Sequence, residues 1–315
     1  MLRIVLAGCG EHSRTSHAAP LARYAVAHPD EIELAAACDL NAEKAIEFCR
    51  SFGFRRDYKD LDQMLEIEKP DACVSVMPME KIVQVGIKLL QQGMPCVIEK
   101  PLGTSIAEIE RLAEVARETQ TPHMVSVNRR FMPYLNQARL WMQERGPLRY
   151  VRATQVRHQR SEDDFIWSTA IHVLDALRYI GGEIERFEVT IPESEQAKWY
   201  LIALHFKKGT TGHVEILPTA GMVEESYELF AEGCRARITA GSGTQRSLEC
   251  WQDGKLVTES RSPDDEPEDL RNGSYQEVEE FVRALRTGKR PQPSIEDILP
   301  SVRIGFAIAE KVPAL

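Results

Sequence analysis

Several sequence features are absent from this chain, and each absence excludes a class of protein. The 315 residues contain seven cysteines without a C-x-x-C pair, and the eight histidines form no H-x-H or H-x-x-x-H pair. An odd number of cysteines spread through apolar segments argues against a disulfide framework or a zinc site, so we predict reduced thiols and no metal. No apolar segment approaches the roughly 20 residues that span a bilayer, so no membrane association is predicted.

An excess of positive charge is also missing. The chain has 39 lysines and arginines against 48 aspartates and glutamates, which gives a net charge of −9. An acidic protein repels nucleic acid and anionic membranes, so neither is predicted as a partner. The N-terminus enters a strand directly and lacks the build of a signal peptide, which predicts a cytoplasmic location.

The first 122 residues alternate short apolar strands with amphipathic helices. The predicted strands are Arg3–Ala7, Ile32–Cys38, Ala72–Val76 and Pro95–Ile98, followed by Met124–Val127. The predicted helices cover residues 14–28, 42–52, 82–92 and 105–120. Short buried strands separated by helices are typical of a parallel, doubly wound sheet, so residues 1–122 are predicted to form a Rossmann-type domain.

Beyond residue 123 the strands follow one another closely. They are predicted at Arg186–Ile191, Trp199–Phe206, Gly212–Leu217, Ser226–Ala231, Ala236–Thr239, Leu248–Trp251 and Leu256–Glu259. Helices are predicted at 134–145, 168–180, 274–287 and 295–311, with an exposed loop at 261–273. Tight turns between the strands indicate antiparallel hairpins. Residues 123–315 are thus predicted to form an α+β domain with a large open, mainly antiparallel sheet, whose uncovered face joins two or four copies.

A glycine turn follows the first predicted strand. Gly8 would permit the tight turn, and Gly10 would let the backbone approach a pyrophosphate at the start of the helix. Ser13 occupies the place of the third glycine of G-x-G-x-x-G and is small enough for close packing of helix on strand. The alternative is that Gly8 and Gly10 are ordinary turn residues. The position between strand and helix favours a dinucleotide site.

Asp39 ends the second strand. A carboxylate at this position can accept hydrogen bonds from both ribose hydroxyls and repels a 2′-phosphate, which predicts NAD in preference to NADP. The alternative is that Asp39 only caps the following helix.

Glu99-Lys100-Pro101 directly follows the apolar run of the fourth predicted strand. Proline fixes its own φ and biases Lys100 toward extended backbone, which aims the ammonium off the carboxyl end of the strand. Open α/β sheets bind their ligands at that end. The alternative for Lys100 is an ordinary surface lysine.

At this point the chain resembles the glucose–fructose oxidoreductase / inositol dehydrogenase (Gfo/Idh/MocA) family over nearly its whole length. The resemblance rests on short motifs, namely the glycine turn, Cys38-Asp39, Met77-Pro78, Glu99–Leu102, Asn128–Phe131, the helix bearing His172, and the C-terminal segments Tyr275–Arg286, Thr287–Lys289 and Ser294–Asp297.

The resemblance implies a nicotinamide-dependent oxidoreductase acting on a sugar, polyol or related alcohol. It implies that Lys100 orients the substrate and polarises its oxygen or relays a proton. Glu99 would hold the turn or the lysine in place, and the cofactor-binding residues would include Pro78, Glu99 and Lys100 themselves.

The resemblance also implies an acid–base histidine in the second half of the chain. Family members often carry D-x-x-x-H, where this chain has Ser168 and His172. Four residues apart on a helix, the two would face the same way. A serine cannot stabilise an imidazolium as a carboxylate does. Asp175, Asp163 or Asp164 would be a replacement, although an ion pair at the domain interface is the alternative for Asp175.

Two further residues are candidates for contact with the substrate. Arg130 would bind substrate or frame the site, or else tie the two domains together. Trp167 would form a wall against which a sugar stacks, or else belong to the core.

The sequence therefore predicts an NAD-dependent dehydrogenase or reductase in which His172 moves the hydroxyl proton and Lys100 stabilises charge on oxygen. Two alternatives remain. One is a glycoside hydrolase that uses bound NAD for transient oxidation, and the other is a catalytically silent protein that senses NAD, which the serine at position 168 would explain.

Overall fold

A computed structural model describes residues 1–192, 196–240 and 246–310. Contacts between Cα atoms divide the chain into two compact units. The first unit contains Met1–Val127 and Ser274–Leu299, and the second contains Asn128–Gly273 and the residues from Pro300 onward. The observed division differs from the predicted boundary between residues 122 and 123, because the strand after residue 122 and a later helix both join the first unit.

The elements as far as residue 127 are β1 (Leu2–Ala7), α1 (Glu11–Ser13), a π-helical turn (Arg14–Ala18), α2 (Ala19–Ala27), β2 (Ile32–Cys38), α3 (Ala42–Phe52), β3 (Arg56–Tyr58), α4 (Leu61–Glu68), β4 (Ala72–Ser75), α5 (Met79–Gln91), β5 (Cys96–Glu99), α6 (Ile106–Thr119) and β6 (His123–Ser126). The later elements are a 3₁₀ turn (Asn128–Phe131), α7 (Pro133–Gln143), β7 (Tyr150–Val156), α8 (Phe165–Ser168), α9 (Ile171–Gly181), β8 (Ile184–Thr190), β9 (Tyr200–Phe206), β10 (Thr211–Leu217), β11 (Glu224–Ala231), β12 (Cys234–Ala240), β13 (Ser247–Gln252), β14 (Lys255–Arg261), α10 (Glu268–Arg271), α11 (Ser274–Arg286) and α12 (Ile295–Ala309).

The first unit is built on a parallel six-stranded sheet. Its strand order is β3-β2-β1-β4-β5-β6. Strands β2 and β3 are therefore added on one side of β1, and β4, β5 and β6 on the other side, so the strand order reverses between β1 and β4. Every residue of β2, β4, β5 and β6 is buried, as expected for strands covered by helices on both faces. In such sheets ligands bind at the carboxyl ends of the strands beside the reversal point. This confirms the predicted fold class for the first half of the chain.

Two elements of this unit were not predicted. The three-residue strand β3 lies at the sheet edge and is largely exposed, and α4 follows it after a cap in which Asp60 accepts from the Gln63 amide. The unit also takes in α11, which packs against α2. The N-cap predicted at Asn41 is present, because its side chain accepts from the Lys44 amide at 3.1 Å.

The second unit is built on a mixed eight-stranded sheet. Its order is β14-β13-β12-β11-β7-β10-β9-β8, and every pairing is antiparallel except that of β10 with β7. The core lies between one sheet face and the helices α7 and α9, and it contains large side chains such as Tyr227 and Phe206. An open, mainly antiparallel sheet is therefore confirmed. The pairing of copies through its other face stays a prediction.

The sequence-based prediction did not include β7, a strand at the centre of this sheet. It also joined α8 and α9 into one helix and assigned residues 261–273 to a loop, although α10 lies within them. None of the helices in the described residues combines the length and the hydrophobicity that a bilayer span requires.

Gly273 packs closely against the backbone of the 3₁₀ turn Asn128–Phe131, and its substitution tests the fold of the second unit. Gly273 has a φ of +92°, and a Cβ added there would overlap the carbonyl oxygen of Asn128. Gly209 has a similar φ of +85° with nothing within 4 Å of its Cβ position. Gly273→Ala is expected to lower the free energy of unfolding by about 3 kcal/mol, and Gly209→Ala by only about 1 kcal/mol.

All four tryptophans lie in the second unit, so their fluorescence in a urea titration reports the unfolding of this unit. Equal effects of the two substitutions would mean that the positive φ alone matters and that the close approach to Asn128 is unimportant.

Candidate active site

The turn after β1 requires glycine at its first position. Gly8 has a φ of +97°, and a Cβ added there would overlap the carbonyl oxygen of Val76, which follows β4. The Gly8 amide also donates to the Cys38 carbonyl at the end of β2, at 2.8 Å. The turn is therefore fixed by both strands that flank β1.

Gly10 and Ser13 form the start of the helical segment that follows. A Cβ on Gly10 would meet nothing within 4 Å, and the residue is exposed, so a phosphate group can approach the backbone there. Ser13 is fully buried, and its Oγ has no hydrogen-bond partner among the described residues. The burial of Ser13 agrees with the predicted close packing of helix on strand. Dinucleotide binding at this turn stays a prediction.

Asp39 binds two backbone amides. Its Oδ2 accepts from Cys9 in the glycine turn and its Oδ1 from Asn41 before α3, both at 2.9 Å. The capping interaction weighed for this residue is thus present. Each carboxylate oxygen has a second acceptor site, so ribose hydroxyls can bind to the same carboxylate.

Glu99, the last residue of β5, lies buried between two histidines of the first helical segment. Its Oε2 is 2.7 Å from Nε2 of His17, and its Oε1 is 3.1 Å from Nε2 of His12. Burial opposes ionisation of Glu99, but the hydrogen bonds and charges of the two histidines outweigh it and hold its pKa well below the usual 4.5. Glu99 is therefore a charged, buried and firmly held residue directly before Lys100.

A π-helical turn brings the two histidines together. Residues five apart on an α-helix point about 140° away from each other. The turn at residues 14–18 has the wider i→i+5 hydrogen bonding of a π-helix, which places His12 and His17 on one side. Their ring centroids are 6.0 Å apart. Sequence reasoning missed both histidines because their spacing does not fit an α-helical face.

The same three side chains are a potential metal-ligand set. Their ligand atoms lie within 4.8 Å of one another, and two histidines with one carboxylate are known zinc ligands. Hydrogen bonds at 2.7 and 3.1 Å account for the arrangement without an ion. The expected absence of a metal stays a prediction.

Lys100 and Pro78 lie at the same edge of the sheet as the glycine turn. Lys100 is half-buried after β5, and its peptide bond to Pro101 is cis. Pro78 is exposed and begins α5 after β4. Because β5, β4, β1 and β2 are neighbours in that order, the ends of these strands collect the predicted cofactor-binding residues of the first unit.

In the second unit, Ser168 and His172 lie on two separate helices and not on the single helix that was predicted. Ser168 ends α8, and His172 is the second residue of α9, with a break at Thr169 and Ala170 between the two helices. The expectation that Ser168 and His172 share a continuous helix face is therefore wrong. Both residues are buried. Their roles stay predictions.

Arg130 and Asp175 form a bidentate ion pair inside the second unit. The Nε and a terminal nitrogen of Arg130 lie 2.7 and 2.8 Å from the two carboxylate oxygens, and the Ser301 hydroxyl donates to the same carboxylate at 2.8 Å. Asp175 was expected to form an ion pair, but both partners belong to one unit. The contact favours a framing role for Arg130 over direct binding of substrate.

Trp167 packs against the last helix of the chain. Its ring stacks on Phe306 with centroids 4.7 Å apart and planes 16° apart, and Gly305 leaves room for it. Of the two interpretations of Trp167, this contact favours the core.

Known proteins similar to this chain include NAD-binding oxidoreductases, in agreement with the Rossmann-type sheet of the first unit. Residues 2–128 match a family model described as "Oxidoreductase family, NAD-binding Rossmann fold", which confirms the predicted cofactor. A 4-carboxy-2-hydroxymuconate-6-semialdehyde dehydrogenase from Sphingobium is 25% identical, covering 96% of both chains. A myo-inositol 2-dehydrogenase from Thermotoga maritima is 22% identical, covering 88% of both.

A solved structure has the same fold at lower identity. It is an oxidoreductase from Agrobacterium radiobacter in complex with NAD+, L-tartaric acid and magnesium. It has a TM-score of 0.81 and 17% identity, and the match covers 97% of this chain and 94% of that one.

The depressed pKa of Glu99 predicts a specific dependence of stability on pH. Its charged form stabilises the fold fully above the ordinary pKa of 4.5, and this contribution is lost as the pH falls through the lower folded value. Glu99→Gln is expected to destabilise the first unit at pH 7 by about 1–3 kcal/mol, the range for hydrogen bonds to a charged group. The difference from the wild type should shrink below pH 4.5.

Hydrogen exchange of β5 amides at pH 7 and pH 3.5 measures this difference. Glu47→Gln is the matched control, because Glu47 is an exposed carboxylate of the same unit with a lowered pKa, held by Arg14. A loss of protection that is equal at both pH values would contradict the role given to the charge of Glu99.

Proposed function

Because the nucleotide-binding half of the chain belongs to the Gfo/Idh/MocA family of oxidoreductases, we propose that the protein is an NAD-dependent dehydrogenase acting on CH–OH groups of a sugar, polyol or related compound. One observation carries the proposal. The glycine turn, Asp39 and the Glu99-Lys100 pair lie at the carboxyl ends of β1, β2 and β5, on either side of the point where the strand order reverses.

In this proposal, different residues of the first unit bind different parts of the cofactor. NAD supplies the hydride acceptor when it is bound. The backbone at Gly8 and Gly10 binds its pyrophosphate, and Asp39 binds the ribose hydroxyls while its contacts to two amides keep it in place. Asp39 also disfavours NADP, since a carboxylate repels a 2′-phosphate.

Lys100 stabilises negative charge on the substrate oxygen, and His172 transfers the hydroxyl proton. Lys100 is half-buried and follows a strand whose last residue is held by two histidines, so its backbone is fixed. Its ammonium polarises the substrate oxygen, which lowers the energy of the alkoxide-like state from which hydride leaves. His172 accepts the hydroxyl proton during oxidation and returns it during reduction.

The relatives differ in substrate. One is named for inositol and another for a carboxylated semialdehyde. Both are named as dehydrogenases. The polyol or sugar class is therefore the broad assignment.

Substitution of Lys100 tests the proposed chemistry. Lys100→Ala should lower turnover on a panel of polyols, sugars and hydroxy acids by about 10²- to 10⁴-fold, because a positioned acid–base group contributes that much. Binding of NADH, followed by its fluorescence, should change far less than turnover, because the other predicted cofactor-binding residues remain. Lys81→Ala is the matched control, since Lys81 is an exposed lysine near the same sheet edge.

The same assay separates the alternatives. NADH binding without any turnover that depends on Lys100 would favour the silent sensor. Release of sugar from a glycoside without a net change in nicotinamide absorbance would favour the hydrolase. Either result would overturn the dehydrogenase.

Asp39→Ser tests cofactor preference. Removal of the carboxylate should reduce the ratio of NAD to NADP affinity by about tenfold, or 1.4 kcal/mol, because both the ribose contact and the repulsion of the 2′-phosphate are lost. Thermal shift titrations with each cofactor measure the ratio. Asp57→Asn, at an exposed residue of the adjacent strand β3, should leave it unchanged. A wild-type preference for NADP would contradict the assignment.

A further inference from the structure

Three side chains of the first unit that can bind a metal ion converge on one point. His12 belongs to α1, His17 to the π-helical turn, and Glu99 ends β5. One ligand atom of each lies within 4.8 Å of the other two. The sequence predicts no metal because the histidines lack the H-x-H and H-x-x-x-H spacings. The π-helical turn pairs histidines five positions apart, and that spacing is outside the reasoning on which the prediction rests.

The distances between the ligand atoms suit a small transition-metal ion. Zinc binds a histidine nitrogen and a carboxylate oxygen at about 2.0–2.2 Å, so two of its ligand atoms in a tetrahedral arrangement lie about 3.3 Å apart. Nε2 of His12 is 3.1 Å from one oxygen of Glu99, and Nε2 of His17 is 2.7 Å from the other. To bind zinc, these two pairs have to separate by only about 0.2 and 0.6 Å. The spacing that serves the hydrogen bonds therefore also serves an ion.

The three side chains differ in exposure, which decides where an ion enters. The side chains of His17 and Glu99 are each 5% exposed, whereas that of His12 is 53% exposed. Two ligands are thus held within the unit, and the third can rotate at its surface. Rotation of His12 brings its nitrogen closer to that of His17, as coordination of a common ion requires.

The nitrogens that would bind the ion are the ones that contact the carboxylate. In the hydrogen-bonded arrangement each Nε2 donates to Glu99. For coordination of an ion, the proton of each neutral ring has to lie on Nδ1 instead. Nδ1 of His12 is 3.4 Å from the hydroxyl oxygen of Ser16, which can accept this proton. Metal-binding histidines commonly donate through their second nitrogen in this way.

We propose that His12, His17 and Glu99 bind a zinc ion from solution. Two histidines and one glutamate, with water in the remaining position, are a known zinc ligand set. Nitrogen ligands select zinc over magnesium and calcium, which prefer oxygen ligands alone. The ion enters on the exposed side of His12. No cofactor takes part in this site, so zinc binding goes beyond the dehydrogenase activity proposed above and does not depend on it.

Metal binding to the full chain, prepared without a histidine tag, tests the site directly. Calorimetric titration with zinc chloride should show a single tight site per chain, and an excess of magnesium chloride should not compete with it. Cobalt(II) accepts the same ligands as zinc. Bound at this site, it should show the intense visible absorption of a four-coordinate cobalt ion, and zinc should abolish that absorption by displacing it.

His12→Gln removes one ligand, while its amide can still donate to Glu99. This variant should bind zinc at least about tenfold more weakly, because loss of even an outer partner of a metal ligand costs that much. Its cobalt complex should lose the visible absorption. His158→Gln is the matched control, since His158 is an exposed histidine of the second unit, and its zinc affinity should stay within about twofold of the wild type.

His12→Glu separates loss of a ligand from damage to the helical segment. A glutamate at position 12 supplies a carboxylate ligand but cannot donate to Glu99 when it is ionised. Zinc should therefore bind more tightly to His12→Glu than to His12→Gln. A damaged segment would weaken binding in both variants alike.

Several outcomes would overturn the metal site. They are the absence of tight zinc binding by the wild type, competition by magnesium, an equal loss of affinity in His158→Gln and His12→Gln, and binding by His12→Glu that is no tighter than binding by His12→Gln. NAD-dependent turnover by a protein that binds no zinc would overturn the metal site alone. Zinc binding by a protein that binds no NAD would overturn the dehydrogenase alone.

Discussion

Glu99 has to be charged, buried and fixed in place at once, and the candidate site of the first unit depends on how this is achieved. An isolated buried carboxylate would cost several kcal/mol or take up a proton. Two histidines from the helical segment that follows the glycine turn prevent both outcomes by binding one carboxylate oxygen each. The strand that carries Lys100 is thereby joined to the segment that begins at the predicted pyrophosphate site. The residues predicted to bind cofactor and substrate, nearly 90 positions apart in sequence, thus share one hydrogen-bonded support.

The parts of this arrangement that follow from local rules could be predicted from the sequence. Short apolar strands alternating with amphipathic helices specify a parallel sheet, and the carboxyl ends of its strands specify the ligand edge. Gly8 was predictable because its position demands a positive φ and a close approach, both of which the structure contains. Asp39 and Lys100 were identified by where their strands end. The family resemblance extended this fold to the second half, where the mainly antiparallel sheet is also observed.

The features that could not be predicted are those in which a distant contact overrides a local pattern. His12 and His17 have no α-helical relationship, and only the π turn pairs them. The strand β7 escaped notice because Gln155, the last of its three buried positions, is a polar residue that hydrogen-bonds Glu225 on the neighbouring strand β11. A continuous helix was expected where Thr169 and Ala170 separate α8 from α9.

Each unit contains a buried glutamate that is bound by two basic side chains, but the type of basic side chain differs between the units. In both, one glutamate is shared by two basic side chains, Glu99 by histidines and Glu225 by arginines. A histidine can bind a carboxylate either as a neutral donor or as a cation. An arginine cannot lose its proton, so a glutamate shared by two arginines always leaves one positive charge. The charges of the group around Glu225 are therefore fixed at every physiological pH.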